Sequence, residues 1–85
     1  LNFSVAKLYP NPATSTATLP VSLTNNEKVE ISMMNLVGEN VLTKSYNGVK
    51  GMNNIALNVE TLESGVYLIT VKSGNHSATQ KFVVE

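Results

Sequence analysis

Few side chains in these 85 residues are of a type that does chemistry. His76 is the single imidazole. An imidazole acting as a general base needs a nucleophile beside it and an acid to orient it. His76 instead follows Gly74 and Asn75, in a stretch that reads as a tight turn, so it is expected as a surface turn residue. The carboxylates Glu27, Glu30, Glu39, Glu60 and Glu63 are scattered, whereas paired-carboxylate hydrolysis needs two that converge on a cleft. Glu60 and Glu63 flank one short segment and could share a calcium ion with loop carbonyls. Calcium loops draw on several acidic residues, however, and the chain has no Asp, so the bland expectation is solvated loops. With no Cys there is no thiolate zinc site, no disulfide and no thiol nucleophile. No catalytic residue, metal or cofactor is expected, and a small hydrolase lacks both its nucleophile–base pair and its pocket.

Charge and rings narrow the partners. Six Lys balance six Glu and there is no Arg. Nucleic-acid binding needs clustered positive charge to displace counterions, and bidentate grip on phosphate or guanine uses Arg, so a nucleic-acid partner is not expected. The aromatic residues are Phe3, Tyr9, Tyr46, Tyr67 and Phe82, without Trp. Stacking platforms for sugars want exposed rows of rings. Five rings in a chain this small read as core instead, with Tyr67 facing inward and its hydroxyl bonded near a corner.

The positions of these residues depend on the elements that carry them, and the dominant period is two. In "ATLPVSL" Ala17, Leu19, Val21 and Leu23 fall on one face; in "KVEISMM" Val29, Ile31 and Met33 do; in "NIALNV" Ile55, Leu57 and Val59 do. Such alternation is what a half-buried strand needs, because successive side chains point to opposite faces. "VYLITV" is apolar on both faces and reads as a central strand, and "ATQKFVVE" alternates only loosely. A first strand is expected over roughly residues 3–9, ended by the two prolines of "YPNPA". Further breaks fall at 24–27, 37–39, 47–51, 63–65 and 73–75, the last as a tight hairpin. "ETLE" could hold one helical turn before Gly65. Seven short strands at roughly eight-to-twelve-residue spacing predict an all-β, antiparallel sandwich.

Length and hydropathy set the frame. The chain is one domain, 42% apolar, near the low end of independent folding. No apolar run approaches the ~20 residues that span a bilayer, so no membrane insertion is expected. No basic stretch followed by an apolar block stands at the start. The start at Leu1 rather than Met suggests part of a longer or a processed protein.

In their order, "YPNPA" (9–13), "VEISMMNLVGENV" (29–41), "GMNNIALNVETLESGVYLITV" (51–71) and "TQKFVVE" (79–85) resemble the type A C-terminal sorting domain of the bacterial type IX secretion system. In that family a Pro-Asn-Pro opens the module, a strand ends in a Leu-x-Gly turn, and a Leu-x-Ser-Gly-Val-Tyr strand leads to a closing Lys-aliphatic strand. The resemblance covers nearly the whole chain, and its weight lies in the order and spacing of motifs that are individually weak. Pro10, Asn11 and Pro12 match the opening motif and Gly38 the mid-chain turn. Gly65, Val66 and Tyr67 match the strand motif, and Lys81, Phe82, Val83 and Val84 the closing strand.

The resemblance implies an immunoglobulin-like seven-stranded sandwich over residues 1–85, standing at the C-terminus of a larger secreted protein. It also implies a function. The module directs an N-terminal cargo domain out of the periplasm, across the outer membrane and onto the cell surface, through the type IX translocon. A sortase-like peptidase then removes it, and it needs no cofactor. Pro10, Pro12, Gly38 and Gly65 are expected as fold determinants, the two glycines through positive φ at turns. The closing strand is expected to be read directly, through a free backbone edge and alternate side chains, and edge strands also bring self-association. The family's members often end basic or aliphatic, whereas the last residue here is Glu85. The alternative is a non-catalytic adhesion or carbohydrate-binding sandwich, since one fold hosts many functions.

Overall fold

The computed structural model describes residues 3–11 and 14–85; Pro12 of the opening motif lies outside the described residues. Seven strands follow in order: β1 (Ser4–Val5), β2 (Thr16–Leu23), β3 (Lys28–Asn35), β4 (Asn40–Asn47), β5 (Gly51–Asn58), β6 (Gly65–Ser73) and β7 (His76–Val84). All pair antiparallel, in a three-stranded sheet β1-β2-β5 and a four-stranded sheet β4-β3-β6-β7. The described residues contain no helix, and the architecture is the expected all-β, immunoglobulin-like sandwich.

The alternation read from the sequence is the alternation observed. Ala17, Leu19, Val21 and Leu23 of β2, Val29, Ile31 and Met33 of β3, and Ile55 and Leu57 of β5 are buried, with Val59 just beyond β5. Tyr67, Ile69 and Val71 of β6 meet them with Phe82 and Val84 of β7, and all join one core between the sheets. Fully burying a Val, Leu, Ile or Phe side chain is worth roughly 1.5–3 kcal/mol. The inward positions therefore fix which face of each strand turns inside. β6 does lie between two neighbours in its sheet, but no second layer of described residues covers its outer face. Val66 and Leu68 are half-buried there by the strands on either side.

Three expectations need correction. The first strand, expected over 3–9, is only β1 plus one isolated bridge between Tyr9 and Thr18. Pro20 explains the break. It sits in β2 facing β1, its carbonyl accepts from the Ala6 N–H at 3.0 Å, and it has no N–H to return. The ladder stops there, and Leu8 turns inward to 1% exposure. "ETLE" is not helical; the segment is a turn closed by the Leu62 N–H on the Val59 carbonyl at 3.1 Å. Gly65 has no positive φ. The glycines that do are Gly38, Gly51 and Gly74, and Gly65 is the extended first residue of β6.

Candidate recognition surface

The motif residues converge on the β6–β7 hairpin. Its turn is two residues, Gly74 and Asn75, between the partners Ser73 and His76. Gly74 takes φ +59° in the first central position, the place a type II′ hairpin reserves for glycine. A two-residue turn leaves no freedom of register, so the pairing runs unbroken to Gly65↔Val84 at the far end.

That register joins two motifs separated in sequence. Val66 lies opposite Val83, Tyr67 opposite Phe82, and Leu68 opposite Lys81. Side chains of directly opposed residues share a face. Tyr67, Phe82 and Val84 point inward and are 5%, 0% and 2% exposed. Val66, Leu68, Lys81 and Val83 point outward, with Lys81 exposed and the other three half-buried. Met34 of β3, paired with Leu68, extends the same outer row. The outer face is thus apolar at the Gly65 end of the hairpin. Farther along it becomes hydroxylic, where Ser32, Thr70 and Thr79 share a row and the Thr70 and Thr79 hydroxyls lie 3.3 Å apart.

Each inward residue has a structural task. The Tyr67 hydroxyl donates to the Glu63 carbonyl at 2.5 Å, tying the start of β6 to the preceding corner as expected. A buried tyrosine bonded to backbone a few residues upstream is a recurring corner device of immunoglobulin-like sandwiches. Phe82 and Val84 close the core beneath the end of β7.

The opening motif acts on the same strand. β7 is an edge strand of its sheet. The Asn11 carboxamide oxygen accepts the Val83 N–H at 3.1 Å. Gln80 reaches the same segment twice: its Nε2 donates to the Ala6 carbonyl at 3.0 Å and its Oε1 accepts the Leu8 N–H at 3.0 Å. The chain before the motif, whose backbone lies on β2, is thereby tied to β7 at Gln80 and at Val83. Pro10, exposed, follows a cis bond from Tyr9. Sequence reading placed Asn11 in a motif without a contact and passed over Gln80. The signal for Gln80 was a long polar side chain two residues before Phe82, on the inward set of β7.

The mid-chain turn lies at the Gly65 end of the molecule. Gly38 takes φ +89° with open space where a Cβ would be, so its backbone conformation alone demands glycine. Asn35 organises the turn: its Oδ1 accepts from the N–H groups of Val37 (3.1 Å) and Glu39 (2.9 Å), and its Nδ2 donates to Glu39 Oε1 at 2.9 Å. Asn preceding a turn glycine was the available sign of this residue. The turn holds Leu36 and Val37 out at 69% and 81% exposure. Asn35, Glu39, Val41, Thr61, Leu62, Glu63 and Tyr67 line a notch of about 280 Å³ beside it.

These arrangements are suited to holding and presenting chain. His76 is the exposed first residue of β7, rather than a residue within the turn, and its ring stacks on Phe3 at 5.0 Å and 10°. It is six strand residues from the level of Tyr67 and the notch, about 20 Å at strand rise. Among the described residues no group of three or more His, Cys, Asp or Glu is placed to hold a metal ion, and no helix is long and apolar enough to cross a membrane. A family model described as a secretion system C-terminal sorting domain matches residues 7–85, which takes in all four motifs. No curated protein matches the chain.

Proposed function

The chain belongs to the family of type IX secretion C-terminal sorting domains, and we propose that the secretion machinery reads it through the outer face and edge of its closing hairpin. A domain of this family is a C-terminal sorting signal: it is attached to an N-terminal cargo, is handled by the type IX system, and takes that cargo to the cell surface or beyond it. In our reading residues 1–85 are this module of a larger secreted protein. It crosses the periplasm with its cargo, engages the translocon at the outer membrane, and is removed at the surface by a sortase-like peptidase. The module itself carries out no reaction and needs no cofactor.

The observation that carries this reading is the hairpin register. It sets Val66 beside Val83 and Leu68 beside Lys81, so the outward members of two separate motifs form one contiguous patch. Gly65, Tyr67, Phe82 and Val84 serve recognition indirectly, by fixing the strands that bear the patch. Asn11 serves by holding the neighbouring segment. The adhesion alternative has no comparable support. Of the five rings Tyr67 and Phe82 are buried, Phe3 and Tyr46 are half-buried and only Tyr9 is exposed, which makes no stacking row.

The test is export of a reporter. The 85-residue chain is fused to the C-terminus of a folded periplasmic protein in a type IX-competent bacterium. Beside it stands a variant carrying Val66→Thr, Lys81→Gln and Val83→Thr, all strand-compatible substitutions on the outer face. The parent fusion is expected at the cell surface and the triple variant, folded, in the periplasm. Normal export of the folded triple variant sinks the outer-face reading. Periplasmic retention of the parent fusion sinks the sorting role of this chain.

A further inference from the structure

Among the described residues the edge of β7 is left open over one short stretch, and Asn11 marks where that stretch ends. Residues of an antiparallel edge strand alternate between bonding the neighbouring strand and facing outward. The Ser73–His76 pair closes a two-residue hairpin and therefore bonds across it, so the even-numbered residues of β7 face β6. Ser77, Thr79, Lys81 and Val83 turn their backbone N–H and C=O groups away from the sheet. The Val83 N–H confirms this, since its acceptor is Asn11 and not β6. Among the described residues no hydrogen bond reaches the N–H or C=O of Ser77, Thr79 or Lys81.

Each of the other edges is either short or interrupted at one point. β1 is two residues long. On β5 the Ala56 carbonyl is occupied by Lys44 Nζ at 2.7 Å. β4 carries a register shift, with Val41 as its extra residue, which bends the edge away from a regular template. Along β7 the outward side chains nearest the turn, Ser77 and Thr79, are short and exposed, so a second backbone can approach.

We propose that an extended segment of a partner protein adds as a strand along Ser77–Lys81, and that Asn11 is the stop that ends this pairing before Val83. Successive outward residues stand about 6.8 Å apart and each offers one donor and one acceptor. A peptide backbone in β conformation matches that row, and a sugar or a lipid headgroup does not. Asn11 fills the next position of the row with a side chain instead of a backbone. It is held there because Gln80 ties the preceding segment through Ala6 and Leu8. The opening and closing motifs thus form one site: the first sets the end of the strand-addition surface that the second provides. The inference rests on the sorting reading, and adds to it where the partner's backbone lies.

The experiment has a structural and a functional arm. In amide hydrogen exchange on the full chain, Thr79 and Lys81 are expected to exchange fast and Val83 slowly. Asn11→Leu releases Val83, and Asn11→Asp, which keeps an acceptor, restores its protection. Protection of Thr79 and Lys81 equal to that of Val83, or indifference of Val83 to Asn11→Leu, overturns the assignment. In the export assay Thr79→Pro deletes one outward N–H while leaving the pairing with β6 intact, since proline is accepted on an edge strand with that side free. Export is expected to fall about tenfold, as a lost hydrogen bond and its stranded partner imply. Thr79→Ala, which removes only the hydroxyl contact with Thr70, is expected to export normally. Folded Thr79→Pro exported as well as Thr79→Ala overturns strand addition while leaving the outer-face reading standing. Failure of the parent fusion alone identifies failure of the sorting reading beneath it.

Discussion

At the scale of single residues, the most consequential side chain is a buried amide. Asn53 is 3% exposed, and its Nδ2 faces the carbonyls of Val49 (2.9 Å), Gly51 (3.1 Å) and Val21 (3.2 Å) while its Oδ1 takes the Val49 N–H at 2.9 Å. It therefore holds the loop before β5 onto β2. Asn53→Leu keeps the branched shape and strands several backbone groups, which costs about 2 kcal/mol or more. In a domain this small the midpoint of thermal unfolding should drop by about 10 °C, and a calorimetric scan showing no change rules the role out. Tyr67→Phe removes one hydrogen bond from an otherwise unaltered core position and should cost about 1 kcal/mol by urea denaturation. Gly48 is intolerant for a different reason. A Cβ there would stand 2.8 Å from the Glu27 carbonyl oxygen and collide with Leu23, so Gly48→Ala should cost about 1–3 kcal/mol. The position of Asn53 was legible, since it continues the inward set Ile55–Leu57 by one more step. Its partners were not, because they belong to a loop and to a strand 32 residues away.

At the scale of elements, the strands read well where one face is buried and badly at the margins. β2, β3 and β5 showed themselves by alternation because each sits on the core through its full length. β4 has no buried residue; it is an edge strand, and edge position removes the contrast that alternation depends on. β1 was overestimated because Pro20, which breaks its ladder, stands in another strand. The consequence of that break is the bridge through Gln80, which stitches the chain ahead of the opening motif to the closing strand. Gln80→Leu leaves the Leu8 N–H and the Ala6 carbonyl without these partners and should cost about 1–3 kcal/mol. The signature is local: the Leu8 amide should lose exchange protection while those of β3 and β6 keep theirs. Uniform loss across all strands would mean that the bridge is part of the core rather than a latch upon it. The candidate surface was legible in its residues, from the resemblance, but its division into inward and outward sets needed the hairpin register.

At the scale of the whole molecule, one hairpin both completes the core and bears the proposed recognition face. Phe82 and Val84 are fully buried one residue to either side of Val83, which faces out. Removing the closing residues therefore changes two things at once. Phe82→Ala alone should cost about 3–5 kcal/mol through lost burial and the cavity left behind, out of a total stability of about 5–15 kcal/mol for a native domain. Deleting residues 81–85 removes Phe82, Val84 and the last rungs of the β6–β7 ladder together, and it withdraws the acceptor-bound Val83 that Asn11 holds. The truncated chain is expected to lack a cooperative thermal transition and to give collapsed amide dispersion. The outer-face triple variant touches one exposed and two half-buried outward positions, where substitutions usually shift stability by about 0.5 kcal/mol or less each, and should melt close to the parent. If both expectations hold, a loss of export on truncation reports unfolding, and only the outer-face and edge variants report recognition. If the truncated chain melts cooperatively near the parent temperature, β7 contributes little to the core, and the inward placement of Phe82 and Val84 no longer explains why these residues belong to the motif.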